Sequence, residues 1–317
     1  MMNPKISVII SAYNASGHLA QSVESILNQS FKDLELIIID DASTDNTLDL
    51  IKKYALEDER IIYISNEKNL GPGKSRNKGI KAAKGEYIAI QDADDVSFPA
   101  RLQLQYDFLQ SHPDIFLVGG GTSNIAASGR KTTTFTPLTD EAESNKAFSR
   151  ICPIVNATIM FRNGQRVLYR DKFRYAMDYD LFLNLLSQGK RMTNLPAPLI
   201  KRRMLPSSIS FGKRVHQELF AKKAREFYSQ RKLYGKDEYD SFEPDEILKI
   251  NVENLRDPRL IAYEIEARFK VNEFKEVKKL YVKYFKHRKV PDKYLLYFMT
   301  SFLPKPVVDS LRKILWG

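Results

Sequence analysis

An alternation is the feature that most constrains how this chain can fold. Short apolar, β-branched runs recur along its first 120 residues: ISVII (6–10), LELIIID (34–40), IIYI (61–64), YIAI (87–90) and IFLVGG (115–120). Between them lie segments of helical spacing. HLAQSVESILNQ (18–29) places Leu19, Val23, Ile26 and Leu27 on one face, and TDNTLDLIKKYALED (44–58) does the same with Leu48, Ile51 and Leu56. RNKGIKAAKG (76–85) closes on Gly85, which reads as a helix C-cap. Strands and helices alternating at these lengths predict βαβ units and a mostly parallel sheet, an α/β fold. In such a sheet the ligand binds beyond the carboxyl ends of the strands.

That rule changes the meaning of the acidic residues. The second run ends in Asp40 and Asp41, and the fourth runs through Gln91 into Asp92, Asp94 and Asp95. Aspartate is a poor strand former and costly to bury, so two strands delivering carboxylates to one rim point to a site. Some of these residues also suit capping: Asp41 or Ser43 for the helix starting near residue 45, Asp95 or Ser97 for one starting near Pro99. Asp92 and Asp94 frame a single alanine, and on extended backbone residues i and i+2 face the same way. Such a pair suits a hard divalent cation, Mn²⁺ or Mg²⁺, which prefers oxygen ligands.

After residue 120 the pattern loosens. TSNIAASGRKTTTFTPLTDEAESN (122–145) is polar and reads as an irregular connection or a lid over a ligand. VNATIMF (155–161) resembles a strand, MDYDLFLNLLSQG (177–189) a helix stopped by Gly189, and NLPAPLIKRR (194–203) an extended piece. From about 213 the spacing is mostly helical. Charge divides the same way: residues 1–150 carry 16 Lys and Arg against 20 Asp and Glu, whereas residues 151–317 carry 34 against 19. A basic second half calls for an anionic partner or simply a solvated surface. Its last forty residues interleave Lys and Arg with Tyr, Phe, Leu and Trp316, which suits either an anionic membrane surface or a small helical domain. No nucleic-acid motif is present, and nucleic acid is not expected as a partner. A lone cysteine, Cys152, precludes an intramolecular disulfide. The first ten residues lack the features of a signal peptide and no apolar stretch reaches about twenty residues, so a cytoplasmic protein, peripheral on the membrane's inner face at most, is expected.

Several of these segments together resemble the family 2 glycosyltransferases, inverting enzymes of the GT-A fold. The resemblance rests on SVIISAYN (7–14), QSVESILNQSFKDLELIIIDDASTDNT (21–47), NLGPGKSRNKGIKAAKGEYIAIQDADD (69–95) and the Pro99, Arg101, Leu102 run. It implies transfer of a sugar from a nucleotide-diphosphate donor, with UDP favoured, to a glycan or lipid-linked acceptor of bacterial surface type. Ser11 and Asp41 match positions that contact the base, and a carboxylate is apt for the N3–H of uracil. Tyr13, Arg76, Asp92 and Ala93 fall in the donor site by the same resemblance, and Asp92 and Asp94 match the DXD motif, with Asp94 as the direct metal ligand.

A second, shorter match is RYAMDYDLFLNLLSQGKR (174–191). It resembles the segment in which a Glu-Asp pair opens a helix, placing Asp178 as general base, Asp180 as its rival and Met177 where glutamate is usual. In RRMLPSSIS (202–210), Leu205 stands where the family has a histidine, while Arg203, Ser208 and Ser210 remain. The expected organisation is a GT-A domain over 1–212, followed by a basic helical region over 213–317. Within the domain, residues 1–120 are expected to bind the nucleotide sugar, and residues 121–212 to supply the acceptor side and the base. Two other classes compete: a catalytically silent GT-A scaffold or membrane binder, and a sugar nucleotidyltransferase. The latter needs a Gly-rich basic loop after the first strand, which SAYNASGH (11–18) does not supply. Processive synthesis is not expected, since spanning helices and a Gln-x-x-Arg-Trp motif are absent.

Overall fold

A computed structural model describes residues 3–126, 129–164, 167–204, 213–250, 257–270, 273–287 and 293–308. The chain divides into two compact units, Met1–Leu205 with Ala224–Phe242, and Pro206–Lys223 with Glu243–Gly317.

The first unit is built on a mixed sheet in the order β3-β2-β1-β4-β8-β6-β9-β5, with β7 paired to β6. Its N-terminal half is parallel. β1 (Ile6–Ala12) lies between β2 (Leu34–Asp40) and β4 (Tyr87–Asp92), and β2 also pairs with β3 (Ile61–Ser65). β1 and β2 are near-continuous apolar runs because both faces are covered, as parallel strands require. On one face α1 (Leu19–Leu27) and α2 (Thr47–Glu57) bury Leu19, Val23, Ile26 and Ile51 against Val8, Ile10, Leu36 and Ile38. On the other, α3 (Pro72–Ala82) comes so close that a Cβ on Gly79 would stand 2.7 Å from Ile9 and 2.8 Å from Ile39.

Some local expectations are corrected. Leu56 is 90% exposed: it lies five residues from Ile51, so Leu50 and Tyr54 pack inward instead. α3 ends at Ala82, before Gly85. Gly85 is required for another reason, since a Cβ there would stand 2.6 Å from the Ser7 backbone nitrogen. Neither Asp41 nor Ser43 caps α2, which follows Asn46. α4 (Arg101–Ser111) follows Ala100, not Asp95 or Ser97.

β5 (Val96–Ser97), β6 (Ile115–Ala126), β8 (Met160–Arg162) and β9 (Arg191–Met204) complete the sheet, with β4–β8, β6–β8 and β5–β9 antiparallel and β6–β9 parallel. The segment expected to be irregular is largely ordered. β6 continues through Thr122 to Ala126 and turns back as β7 (Lys131–Phe135). α5 (Glu141–Ala147) follows, and the Asp140 side chain caps it through the Glu143 N–H at 2.8 Å. Thr supplies β propensity that its polarity hides, and the pairing of β6 with β9 and of β7 with β6 decides the matter. In VNATIMF the strand is confined to its end. Asn156–Thr158 forms a 3₁₀ turn, with Thr158 Oγ1 donating to the Val155 carbonyl at 2.7 Å. α6 (Met177–Ser187) ends as anticipated at Gly189, whose φ is +72°.

α7 (Arg214–Tyr234) contributes residues to both units. The second unit also holds α8 (Pro258–Lys270), α9 (Phe274–His287) and α10 (Lys293–Thr300), around a core of Ile261, Ile265, Phe269, Val277, Tyr284 and Tyr297. Among the described residues, no helix is long and apolar enough to cross a membrane.

Candidate active site

The parallel register brings three strand ends to one rim. Ser11 lies opposite Ile39 on one side and Asp92 on the other, and the Asp41 N–H donates to the Ala12 carbonyl at 2.8 Å. Tyr13 follows on the same edge and is half exposed. Asp41 is buried and turned onto the loop before α3. Its Oδ1 accepts from Asn66 Nδ2 and the Leu70 N–H, and its Oδ2 from the Gly71 N–H, each at 2.8 Å. Gly71 permits this clasp by adopting φ +84° at the start of α3.

The helix so fixed carries Arg76. The side chain is buried, and its Nη2 donates to Asp92 Oδ1 at 2.7 Å. Its guanidinium lies 5.7 Å from the Tyr169 ring centroid, and Nη1 meets Met177 Sδ at 3.9 Å. Burial opposes the charge, but Asp92, Tyr169 and Asp178 outweigh it and raise the Arg76 pKa.

Asp92 closes β4, and Ala93 and Asp94 form the turn into β5. One carboxylate oxygen from each of Asp92, Asp94 and Asp95 lies within 4.8 Å of the others. Strand alternation is not what joins them: the turn does so, with the Asp95 N–H donating to the Asp92 carbonyl at 3.2 Å. Ala93 packs against the sheet core below. Two arginines hold the turn. Arg101, fully buried, donates to Gln91 Oε1, Ser97 Oγ and the Ile90 carbonyl at 2.6–3.0 Å, and burial lowers its pKa to about 10. Arg203 donates its backbone N–H to Asp95 Oδ1 at 2.8 Å and its Nε to the Asp94 carbonyl at 3.1 Å. Burial and like charge together leave a clear electrostatic signature. Burial, then the charge of Asp92, raises Asp94 to about 6, and burial with both neighbouring carboxylates pushes Asp95 well above the usual range.

Asp178 is the second residue of α6, which follows Ala176 at φ +50°. It is half-buried and accepts from the Tyr179 N–H at 2.9 Å. Burial foremost raises its pKa, with the Tyr179 N–H and Arg76 acting in the opposite sense. Asp180 differs: fully buried, it takes two bonds from Arg170 at 2.5 and 2.8 Å, and Arg170 bonds Asp237 at 2.7 Å. That carboxylate is committed to the interior.

Asp41, Arg76, Asp92 and Asp178 are thus linked through α3, while Asp94 and Asp95 share the turn beyond Asp92. Tyr169 carries no signal that sequence spacing exposes, since its partner Asn77 lies 92 residues away, whereas Arg101, part of the Pro99, Arg101, Leu102 run, bonds Gln91 and Ser97 close by. Leu205, Ser208 and Ser210, and Trp316 in the tail, lie outside the described residues.

A parallel half-sheet, ending in an acidic turn and joined to a mixed half, defines the GT-A class of transferases. Residues 7–173 match the family described as Glycosyl transferase family 2. The putative glycosyltransferase EpsE of Bacillus subtilis is 40% identical over 206 residues, covering 63% of this chain and 73% of that protein. The enzyme named UDP-Glc:alpha-D-GlcNAc-diphosphoundecaprenol beta-1,3-glucosyltransferase WfaP of Escherichia coli is 36% identical over 196 residues, 60% of this chain and 74% of its own. Among solved structures, S. aureus TarS 1-349 in complex with UDP-GlcNAc superposes with a TM-score of 0.55 at 18% identity, over 98% of this chain and 92% of that one. The mannosyltransferase PcManGT from Pyrobaculum calidifontis, in complex with GDP-Man and Mn²⁺, does so with a TM-score of 0.55 at 14% identity, over 99% and 88%. These two superpositions speak for the fold. The chain belongs to glycosyltransferase family 2, and is a glycosyltransferase that uses a nucleotide-sugar donor.

Proposed function

We propose that this glycosyltransferase moves a sugar from a UDP-sugar, with inversion, to a hydroxyl of a glycan or lipid-linked acceptor of the cell envelope. The transfer depends on a divalent cation, Mn²⁺ or Mg²⁺. One observation carries the reading: three carboxylates converge at the rim where Arg76 joins Asp92 and stands within electrostatic reach of Asp178. An all-oxygen donor set, in which burial and then neighbouring carboxylates raise the pKa values of Asp94 and Asp95, suits a hard cation. Asp94 and Asp92 hold it, with Asp95 beside them. A cation so bound supplies electrostatic stabilisation to a departing diphosphate.

The remaining roles fall to the chain's own groups. Ser11, Tyr13, Asp41 and Ala93 line the donor. The second lone pair of Asp41 Oδ2 accepts the uracil N3–H, leaving the Gly71 N–H bond in place. Arg76 orients Asp92 and faces the donor's oxygens. Asp178 takes the proton of the acceptor hydroxyl, which attacks C1 from the face opposite the leaving group and inverts it. A carboxylate with a raised pKa is better matched to that task than an ordinary one. The catalytic machinery falls within 1–212, and the helical region that follows it lends Ala224–Phe242 to the first unit. Relatives named for UDP-Glc and a diphosphoundecaprenol acceptor, or for teichuronic acid synthesis, support the donor and acceptor class, and a neighbour solved with GDP-Man and Mn²⁺ supports the cation.

The test is a screen of nucleotide sugars for donor hydrolysis, with Mn²⁺ and with EDTA. The reading expects a UDP-sugar to be cleaved only with the cation. Cleavage unaffected by EDTA would refute the metal, and preference for GDP-mannose would refute the assignment of Asp41 to uracil.

A further inference from the structure

The second unit carries a surface for which transfer chemistry has no use. α9 buries Val277, Leu280, Tyr281 and Tyr284, while its outer face presents Lys275, Lys279, Val282, Phe285 and Lys286 at helical spacing. α10 buries Tyr294 and Tyr297 and exposes Leu296 and Met299, and the turn after it exposes Phe302 and Leu303. These are not scattered apolar residues. Tyr281 stacks on Phe298 at 4.5 Å, Phe298 meets Phe302 at 5.1 Å, and Tyr281 reaches Phe285 at 6.2 Å. Lys278 Nζ lies 3.9 Å from the Phe302 ring centroid, so a lysine of α9 meets the apolar turn after α10. Residues 274–308 hold nine Lys and Arg against two acids.

We propose that this face of α9 and α10 docks on an anionic lipid bilayer. Phe285, Met299 and Phe302 enter the headgroup level, and Lys275, Lys279 and Lys286 meet lipid phosphates. Charge complementarity selects this occupant. A second copy would bring a like-charged face against it, and a nucleic-acid backbone leaves the aliphatic residues Val282, Leu296 and Met299 without a role. An amphipathic helix rimmed by lysines satisfies both requirements at a bilayer.

The test is flotation of the full chain with vesicles of phosphatidylcholine, alone or mixed with phosphatidylglycerol. Wild type floats with the mixed vesicles, less so as salt is raised, and stays behind with phosphatidylcholine alone. A Lys275→Gln, Lys279→Gln, Lys286→Gln variant loses partitioning by on the order of 10²-fold, from about fivefold per lysine near the surface. Phe285→Ser with Met299→Ser also lowers it. All five positions are exposed, and thermal unfolding recorded beside flotation tells any stability lost with the Tyr281–Phe285 contact apart from lost lipid binding. Donor hydrolysis without vesicles, unchanged in both variants, separates this surface from the transfer site. Equal flotation with neutral vesicles, flotation of the lysine variant like wild type, or self-association of the chain without flotation would each overturn the proposal.

Discussion

Replacing Asp94 by asparagine should make the cation-free protein more stable at neutral pH while destroying its activity. Three carboxylates share a turn within 4.8 Å, and the Asp94 pKa rises from 3.8 to about 6. A carboxylate whose folded pKa is raised costs stability once ionised. The cost is absent below the unfolded value of 3.8, grows as pH climbs towards about 6, and is complete above it. At about 1.36 kcal/mol per pH unit the shift corresponds to roughly 3 kcal/mol, and half-burial of Asp94 reduces this to about 1–2 kcal/mol. Asp94→Asn removes the buried charge and, with it, the repulsion from Asp92, so its transition should move up by a few degrees at pH 8 in EDTA, with the gain vanishing below pH 4. Mn²⁺ should then stabilise wild type and not the variant. Transfer by the variant should fall by at least about 10³-fold. A variant less stable than wild type at pH 8 in EDTA, or a gain independent of pH, would refute the electrostatic reasoning.

The remaining predictions concern neighbouring residues. Asp178→Asn should lower turnover by about 10²–10⁴-fold with donor affinity unchanged in titration calorimetry; loss of donor binding instead would remove it from the role of base. Asp180→Asn should cost about 2–4 kcal/mol in urea unfolding, because Arg170 keeps only Asp237, and turnover per folded molecule should survive; inactivity without lost stability would exchange the roles of the two aspartates. Gly85→Ala should destabilise by about 1–3 kcal/mol, since its Cβ would strike the Ser7 backbone at 2.6 Å; a neutral result would show that β1 gives way.

The parallel half of the fold is legible because its signals are local. Ile6–Ile10, broken only by Ser7, and Leu36–Ile39 are buried on both faces and read as apolar runs, and Asp41 and Asp92 stand out at the ends of the second and fourth runs. The mixed half is not. Thr122, Ser123 and the Thr-rich β7 become strand only because β9 and β6 offer partners over 60 residues away or across a turn. The same distinction runs through the site. DADD announces an acidic cluster, but the turn that gathers it depends on Arg101 and on Arg203, more than 100 residues downstream. The resemblance left Asp178 and Asp180 as rivals, and only the Arg170 pair shows that Asp180 is buried for structure.

The central claim is that one strand rim holds both a nucleotide and the cation beneath its diphosphate. Diffraction from crystals grown with UDP and Mn²⁺, recorded at a wavelength where manganese scatters anomalously, tests it most directly. The account predicts a peak about 2.1 Å from a carboxylate oxygen of Asp94, with the uracil beside Ser11 and Asp41. A nucleotide bound away from that rim, or manganese absent from the Asp92–Asp95 turn while UDP is present, would contradict it.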